Sequence, residues 1–225
     1  MTRISDFVLF NDHQLIAFHK PGGMPVQDDK TGDPSLHTLA QAYSKRDLYL
    51  VHRLDRPCSG IVVFAKTQNA AAHLSEQWHS RSITKTYLAI VSPGITPPEG
   101  LLEHYLVKKA TKAIVRNESE QDNAQKAILE YRVIAKLDNY DLLEITTHTG
   151  YFHQIRAQLS AAGFPIKDDV KYGARRSNAQ RTIYLHCAEL RLTHPGNNQE
   201  LILTCPVPDD ALWNAARSVI GDRLT

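Results

Sequence analysis

In the stretch VHRLDRPCSGIVVFAK, residues 51–66, one carboxylate stands among guanidinium groups just before an apolar run: Arg53, Asp55 and Arg56. If Arg53-Leu54-Asp55 is extended, Arg53 and Asp55 project from one face while Leu54 points into the core. Nearby cations favour the ionised form of a carboxylate. An ionised carboxylate suits a nucleophile or a base and makes a poor general acid. The competing reading is a structural ion pair, which when exposed contributes only about 0–1 kcal/mol. For an Asp between arginines, taken alone, that reading is the stronger one.

A second constellation is THTGYFHQIRAQL, residues 147–159, which places Arg156 in the first turns of an expected helix. Free backbone N–H groups already make that end electropositive, so a cation there calls for an anion close by. A surface arginine reaching a neighbouring carboxylate would satisfy the same demand. His148, His153, Asp168, Asp169 and His186 are possible metal ligands, but they lack the i, i+4 helical spacing of a specific site. No metal is expected. Tyr87, in TKTYLAIV, is by itself more often a sheet-face aromatic than a platform for a ligand.

These residues must be held by something. FVLF and QLIAFHK flank Asn11-Asp12-His13 as a β-hairpin. SLHTLAQAYSKR is a helix capped by Ser35, and TQNAAAHLSEQWHSR a helix capped by Thr67. LYLV, GIVVFAK and TKTYLAIVS read as strands, as do LLEHYLV, KAIVR, AILEYRVIAKL and YDLLEITTH. HQIRAQLSAAG is helical with Gly163 as its stop, and DDALWNAARSVIG is a last helix capped by Asp209 or Asp210. Strands outnumber helices and many are joined by hairpin-length turns. The expectation is an α+β fold, residues 1–225 in a single domain, with a mixed, largely antiparallel sheet.

Composition bounds the partners. The 225 residues are 42% hydrophobic and 22% charged with a net charge of +2, so any polyanionic partner must be met by local clusters of cations. Cys58, Cys187 and Cys205 are odd in number and form no C-x-x-C pair, which argues against a disulfide frame or zinc knuckle. No run reaches the roughly 18 apolar residues of a membrane helix. A cytoplasmic monomer without membrane contact is expected.

KPGGMPV, HRLDRPCSGIVVFAK, KTYLAIV, HQIRAQLSAAGFPIKDDVKYG and LHCAELRLTHP follow one another in the order found in RluA-type pseudouridine synthases, which this chain resembles from about Phe7 to Pro208. H-R-L-D-x-x-x-S-G and H-Q-I-R, about a hundred residues apart, are specific as a pair. The resemblance implies isomerisation of uridine to pseudouridine in structured ribosomal or transfer RNA, with no cofactor. It also implies a sheet with a central cleft flanked by helices. Residue by residue, it implies that Asp55 is the catalytic aspartate, Tyr87 the aromatic that stacks on the target base, and Arg156 the cation paired with the aspartate. Arg53 falls where some members insert an arginine into the stack, and Leu185 in the apolar wall of the pocket. Arg56, Lys171, Arg175 and Arg176 are the further cations expected to meet RNA near the cleft.

The chain departs from the family pattern at Tyr151-Phe152, where Arg and a small hydroxyl residue are usual. It departs also at Cys58, where Thr is usual, and at Lys167-Asp168-Asp169, where Gly-Asp is usual. The S4-like domain of many relatives is not expected before Lys20. Two rival readings remain: a non-catalytic RNA-binding protein on the same fold, and a metal-dependent hydrolase built from His148, His153 and Asp169.

Overall fold

The computed structural model describes residues 3–116 and 123–220. They form two compact units: one runs up to Lys85 and resumes over His186–Pro208, the other holds Thr86–Leu185 and the last helix.

In the first unit, strands β1 (Val8–Asn11) and β2 (Leu15–Lys20) form the expected hairpin. Its turn is held by Asp12, whose Oδ1 accepts from the backbone N–H groups of Gln14 (2.8 Å) and Leu15 (2.9 Å). Helix α1 (Leu36–Ser44) starts where Ser35 Oγ accepts from Thr38 N–H, at 3.2 Å, and it buries Leu36 and Ala40. After the short strand β3 (Tyr49–Leu50) comes β4 (Ser59–Ala65), all seven residues of which are buried. That explains its continuous apolar run: β4 pairs antiparallel with β2 and β3 and has no face left for solvent. Helix α2 (Gln68–His79) is capped by Thr67, which accepts from Ala70 N–H at 3.1 Å.

In the second unit, β5 (Thr84–Val91), β6 (Glu99–Lys109), β7 (Lys112–Arg116), β8 (Gln125–Lys136) and β9 (Asp141–Thr147) lie in the order β5-β9-β8-β6-β7, with antiparallel neighbours. Helix α3 (Gln154–Ala161) is buried from Gln154 to Leu159. It stops at Gly163, whose φ of 90° is the left-handed conformation that ends helices.

Back in the first unit, β10 (Leu185–Thr193) runs parallel to β4, in register His186 to Ser59 and Cys187 to Gly60, and β11 (Glu200–Thr204) closes against it. Neither β10 nor β11 was expected as a strand. Gly60 is needed at that junction: its φ is 122°, and a Cβ there would press on Cys187 O and N and lie 2.7 Å from Cys187 Cα. Of the two acids offered as a cap for α4 (Ala211–Ile220), Asp210 takes the role, accepting from Leu212 N–H and Trp213 N–H at 2.9 Å. The architecture is α+β, mixed and largely antiparallel, as the sequence predicts. Among the described residues no helix is long and apolar enough to cross a membrane.

Candidate active site

Asp55 lies half-buried on the irregular segment between β3 and β4, at the first position of a turn closed by Cys58 N–H on Asp55 O (3.0 Å). Leu54 is buried beside it, as the alternation predicts, and Arg53 is exposed. The turn is fastened from beneath by a residue not singled out in the sequence. Lys20, fully buried at the end of β2, points its ammonium at four carbonyl oxygens: Pro21 (3.0 Å), Met24 (2.9 Å), Arg56 (3.1 Å) and Cys58 (2.5 Å). Two of these belong to the loop after β2 and two to the Asp55 turn, so one cation ties both. Gly23 N–H adds a 2.8 Å bond to Arg56 O. Burial pushes the Lys20 pKa down to about 8, with the negative charge of Asp55 acting the other way.

The arginines flanking Asp55 have partners of their own. Arg56 donates through Nε to Gly23 O (2.8 Å) and through Nη1 to Asp29 (3.0 Å), and its Nη2 meets Asp33. It holds the Asp33 carboxyl below the usual carboxylate range. Arg53 reaches Gln27 Oε1 at 3.2 Å. Arg53 and Arg56 are thus tied to the 23–33 loop, an engagement that the local Arg-Asp-Arg reading of the sequence did not include. Spacing along the chain revealed the charges but not that acids 23 and 27 residues away would claim Arg56.

Two neutral histidines brace the same segment. His52 Nε2 accepts from Val63 N–H of β4 (2.9 Å), and its ring stacks on Trp78 of α2, centroids 4.4 Å apart. Burial pushes the His52 pKa down to about 3. His186 Nε2 lies 3.0 Å from Cys205 O and must donate to it, so Nδ1 accepts from Ser59 Oγ at 2.8 Å. Burial pushes this pKa to about 3 as well. The Ser-Gly of the motif thus has two physical uses, a hydroxyl for His186 and a bare backbone against β10.

In the second unit, Tyr87 is half-buried near the start of β5, opposite Ile145 of β9. Arg156, 4% exposed on α3, meets the anion that its position demanded: Asp169. Nε donates to Oδ2 at 2.7 Å and Nη2 to Oδ1 at 2.9 Å, a two-pronged pair with Asp169 only 1% exposed. The Arg156 guanidinium carbon also lies 5.0 Å from the Tyr172 ring centroid. Desolvation offsets much of the attraction in a buried pair, yet removing one partner costs about 3–5 kcal/mol because the other charge is left uncompensated. Leu185 is buried at 3%, at the first position of β10. Lys171, Arg175 and Arg176 are exposed, and Lys171 Nζ donates to Thr111 O at 3.2 Å.

The residues of the hydrolase reading have other engagements. His148 Nε2 lies 3.0 Å from Glu130, His153 Nδ1 lies 2.8 Å from Tyr172 OH, and Asp169 holds Arg156. Among the described residues no group of three or more His, Cys, Asp or Glu side chains is placed to hold a metal ion.

Comparison with known proteins agrees with this set of motifs. A family model described as RNA pseudouridylate synthase matches residues 14–161. The tRNA pseudouridine synthase C of Haemophilus ducreyi is 31% identical over 241 residues, covering 97% of this chain and 97% of the relative. The ribosomal large subunit pseudouridine synthase C of Vibrio vulnificus is 30% identical, covering 92% of this chain and 67% of the relative. Among solved structures, human RNA Pseudouridylate Synthase Domain Containing 4 superposes with a TM-score of 0.77 at 24% identity, over 96% of this chain and 94% of that one, a likeness of fold. The matched region spans Lys20, the Asp55 turn, Tyr87 and Arg156, and on that ground the chain belongs to the RNA pseudouridylate synthase family and is an RNA-modifying isomerase.

Proposed function

We propose that Asp55 is the reactive carboxylate of this isomerase, that Tyr87 stacks on the target uracil, and that Arg156, oriented by Asp169, is the cation that keeps the reacting carboxylate anionic beside RNA phosphates. The observation that carries the reading is the Lys20 ammonium under the Asp55 turn, because so costly a buried cation serves to fasten that turn to the loop after β2. The reaction breaks the N1–C1′ bond of a uridine, turns the uracil, joins C5 to C1′ of the same ribose, and releases the C5 proton while N1 regains one. A stacked uridine must first be extruded, at a cost of a few kcal/mol. Stacking on Tyr87 recovers about 1–3 kcal/mol of that. Asp55 serves either by attacking C1′ or by removing the ribose 2′ proton. Arg53, Arg56, Lys171, Arg175, Arg176 and the apolar Leu185 are the remaining substrate contacts in this reading.

The substrate we favour is transfer RNA, with ribosomal RNA second. Relatives named for tRNA are mostly matched over 90% or more of their length, although that of Pectobacterium carotovorum is matched over 62%, and one named for the large ribosomal subunit is matched over 67%. Pseudouridine mapping of total RNA from cells with and without this protein tests the assignment. One or more uridines in tRNA should lose the modification and regain it with the parent gene but not with Asp55→Asn. Loss confined to ribosomal RNA would reverse the order of preference, and no lost site would refute the reading.

A further inference from the structure

Tyr151-Phe152 stands where the family pattern has a cation and a hydroxyl residue, and the structure gives the substitution a purpose. Phe152 is 37% exposed, which is high for a phenylalanine, and its ring lies on that of His153 with centroids 3.8 Å apart and planes at 19°. His153 is nearly buried and holds a left-handed backbone, φ 55°, immediately before α3. Such a conformation in a residue other than glycine is costly unless its surroundings fix it. Here they do: Tyr172 OH takes a hydrogen bond from Ala113 N–H (2.8 Å) and lies 2.8 Å from His153 Nδ1. Burial pushes the His153 pKa down to about 3, so a held, uncharged imidazole backs the phenyl ring.

Cations surround this pair. Lys108 Nζ lies 5.0 Å from the Phe152 centroid. Lys109 and Lys112 face each other across the two-residue turn of the β6–β7 hairpin, and Lys112 Nζ lies 5.5 Å from the Tyr172 centroid. Lys171 is pinned to the same turn through Thr111 O. Residues 105–116, 148–152 and 170–181 contain no aspartate or glutamate, while they contribute Lys108, Lys109, Lys112, Arg116, Lys171, Arg175, Arg176 and Arg181. In a chain of net charge only +2 these segments are strongly basic, and they place Lys108 at the exposed Phe152 ring itself.

We propose that Phe152, backed by His153 and with Lys108 at its ring, is a docking face on which an unpaired nucleotide of the substrate RNA stacks while Lys108 and the lysines at and beside the β6–β7 turn take its flanking phosphates. The proposal rests on the RNA-isomerase reading above. Basic side chains interleaved with aromatic rings are how proteins hold single-stranded nucleic acid. The energetic exchange is favourable. Moving the Lys108 ammonium off the ring gives up a weak cation–π contact. A base stacked in its place makes a stronger one, and the freed ammonium gains a phosphate. A merely solvated lysine face would need neither the exposed ring nor its rigid backing.

The test uses the full chain and C5-tritiated total RNA from cells lacking the protein, with tritium release read against RNA concentration. A dodecamer of uridylate gives the salt dependence of binding. Phe152→Ala should raise the apparent KM about tenfold with a much smaller change in kcat, and Phe152→Tyr should restore it to within about threefold. Lys108→Ala combined with Lys112→Ala should flatten the slope of log affinity against log salt by about 1.4, two phosphates at about 0.7 each. No release by the parent would refute the isomerase reading and the docking face with it. Release by the parent with KM and slope unchanged in these variants would refute the docking face alone.

Discussion

Lys20 has three N–H bonds and four carbonyl oxygens within reach, so at any instant at least one oxygen shares a proton. Loss of the ammonium proton would leave two donors for the four oxygens and loosen the Asp55 turn. Because the folded pKa is brought to about 8, that loss falls in an accessible range. Turnover should therefore decline as pH rises through about 8, measured by tritium release from total RNA between pH 6.5 and 9.5. The sign for stability is opposite. Between about 8 and the ordinary lysine value of 10.5 the unfolded chain binds more protons than the folded one, so Lys20 makes the fold more stable as pH rises. An alkaline decline that merely tracked unfolding would contradict the role given to Lys20. None of this was legible in KPGG, because lysines are rarely fully buried and nothing in a Pro-Gly loop advertises four inward carbonyls. The demand of Arg156 for an anion was legible, from its place at a helix start. That Asp169 meets it was not, because the pairing depends on how the 164–172 segment folds back under α3.

The four helices and their caps were readable because Ser35, Thr67, Gly163 and Asp210 each do a local job that side-chain chemistry dictates. The strands from β1 to β9 were readable through apolar runs and alternation. β10 was not. Its first half is buried, but by His186 and Cys187, whose neutral imidazole and thiol do not register as apolar in a sequence. What makes it a strand is its parallel partner β4, a contact between residues more than 120 positions apart. Gly60 is the hinge of that pairing, and Gly60→Ala tests it. The left-handed φ alone costs about 1–3 kcal/mol, and the pressure on the Cys187 backbone adds to it. Urea unfolding should show a stability loss of at least about 2 kcal/mol with the slope m unchanged. A variant as stable as the parent would mean that β4 and β10 do not approach as closely as described.

At the scale of the molecule, the chain leaves the first compact unit after Lys85 and returns to it at His186, within β5 and β10. No linker composition marks either point, so this division was not legible, whereas the α+β class was. Charge is likewise visible only locally: a net +2 hides the acid-free segments that carry eight cations. On the proposed reading, binding and chemistry draw on different residues. RNA affinity should depend on those cations and on the exposed phenyl ring, and turnover on one carboxylate whose removal, if anything, eases the approach of phosphates. The most direct test is single-turnover tritium release by purified Asp55→Asn on C5-tritiated total RNA from cells lacking the protein, alongside its affinity for the same RNA. The account predicts release below detection with affinity equal to or slightly tighter than the parent's. Release at a rate comparable to the parent's would contradict it.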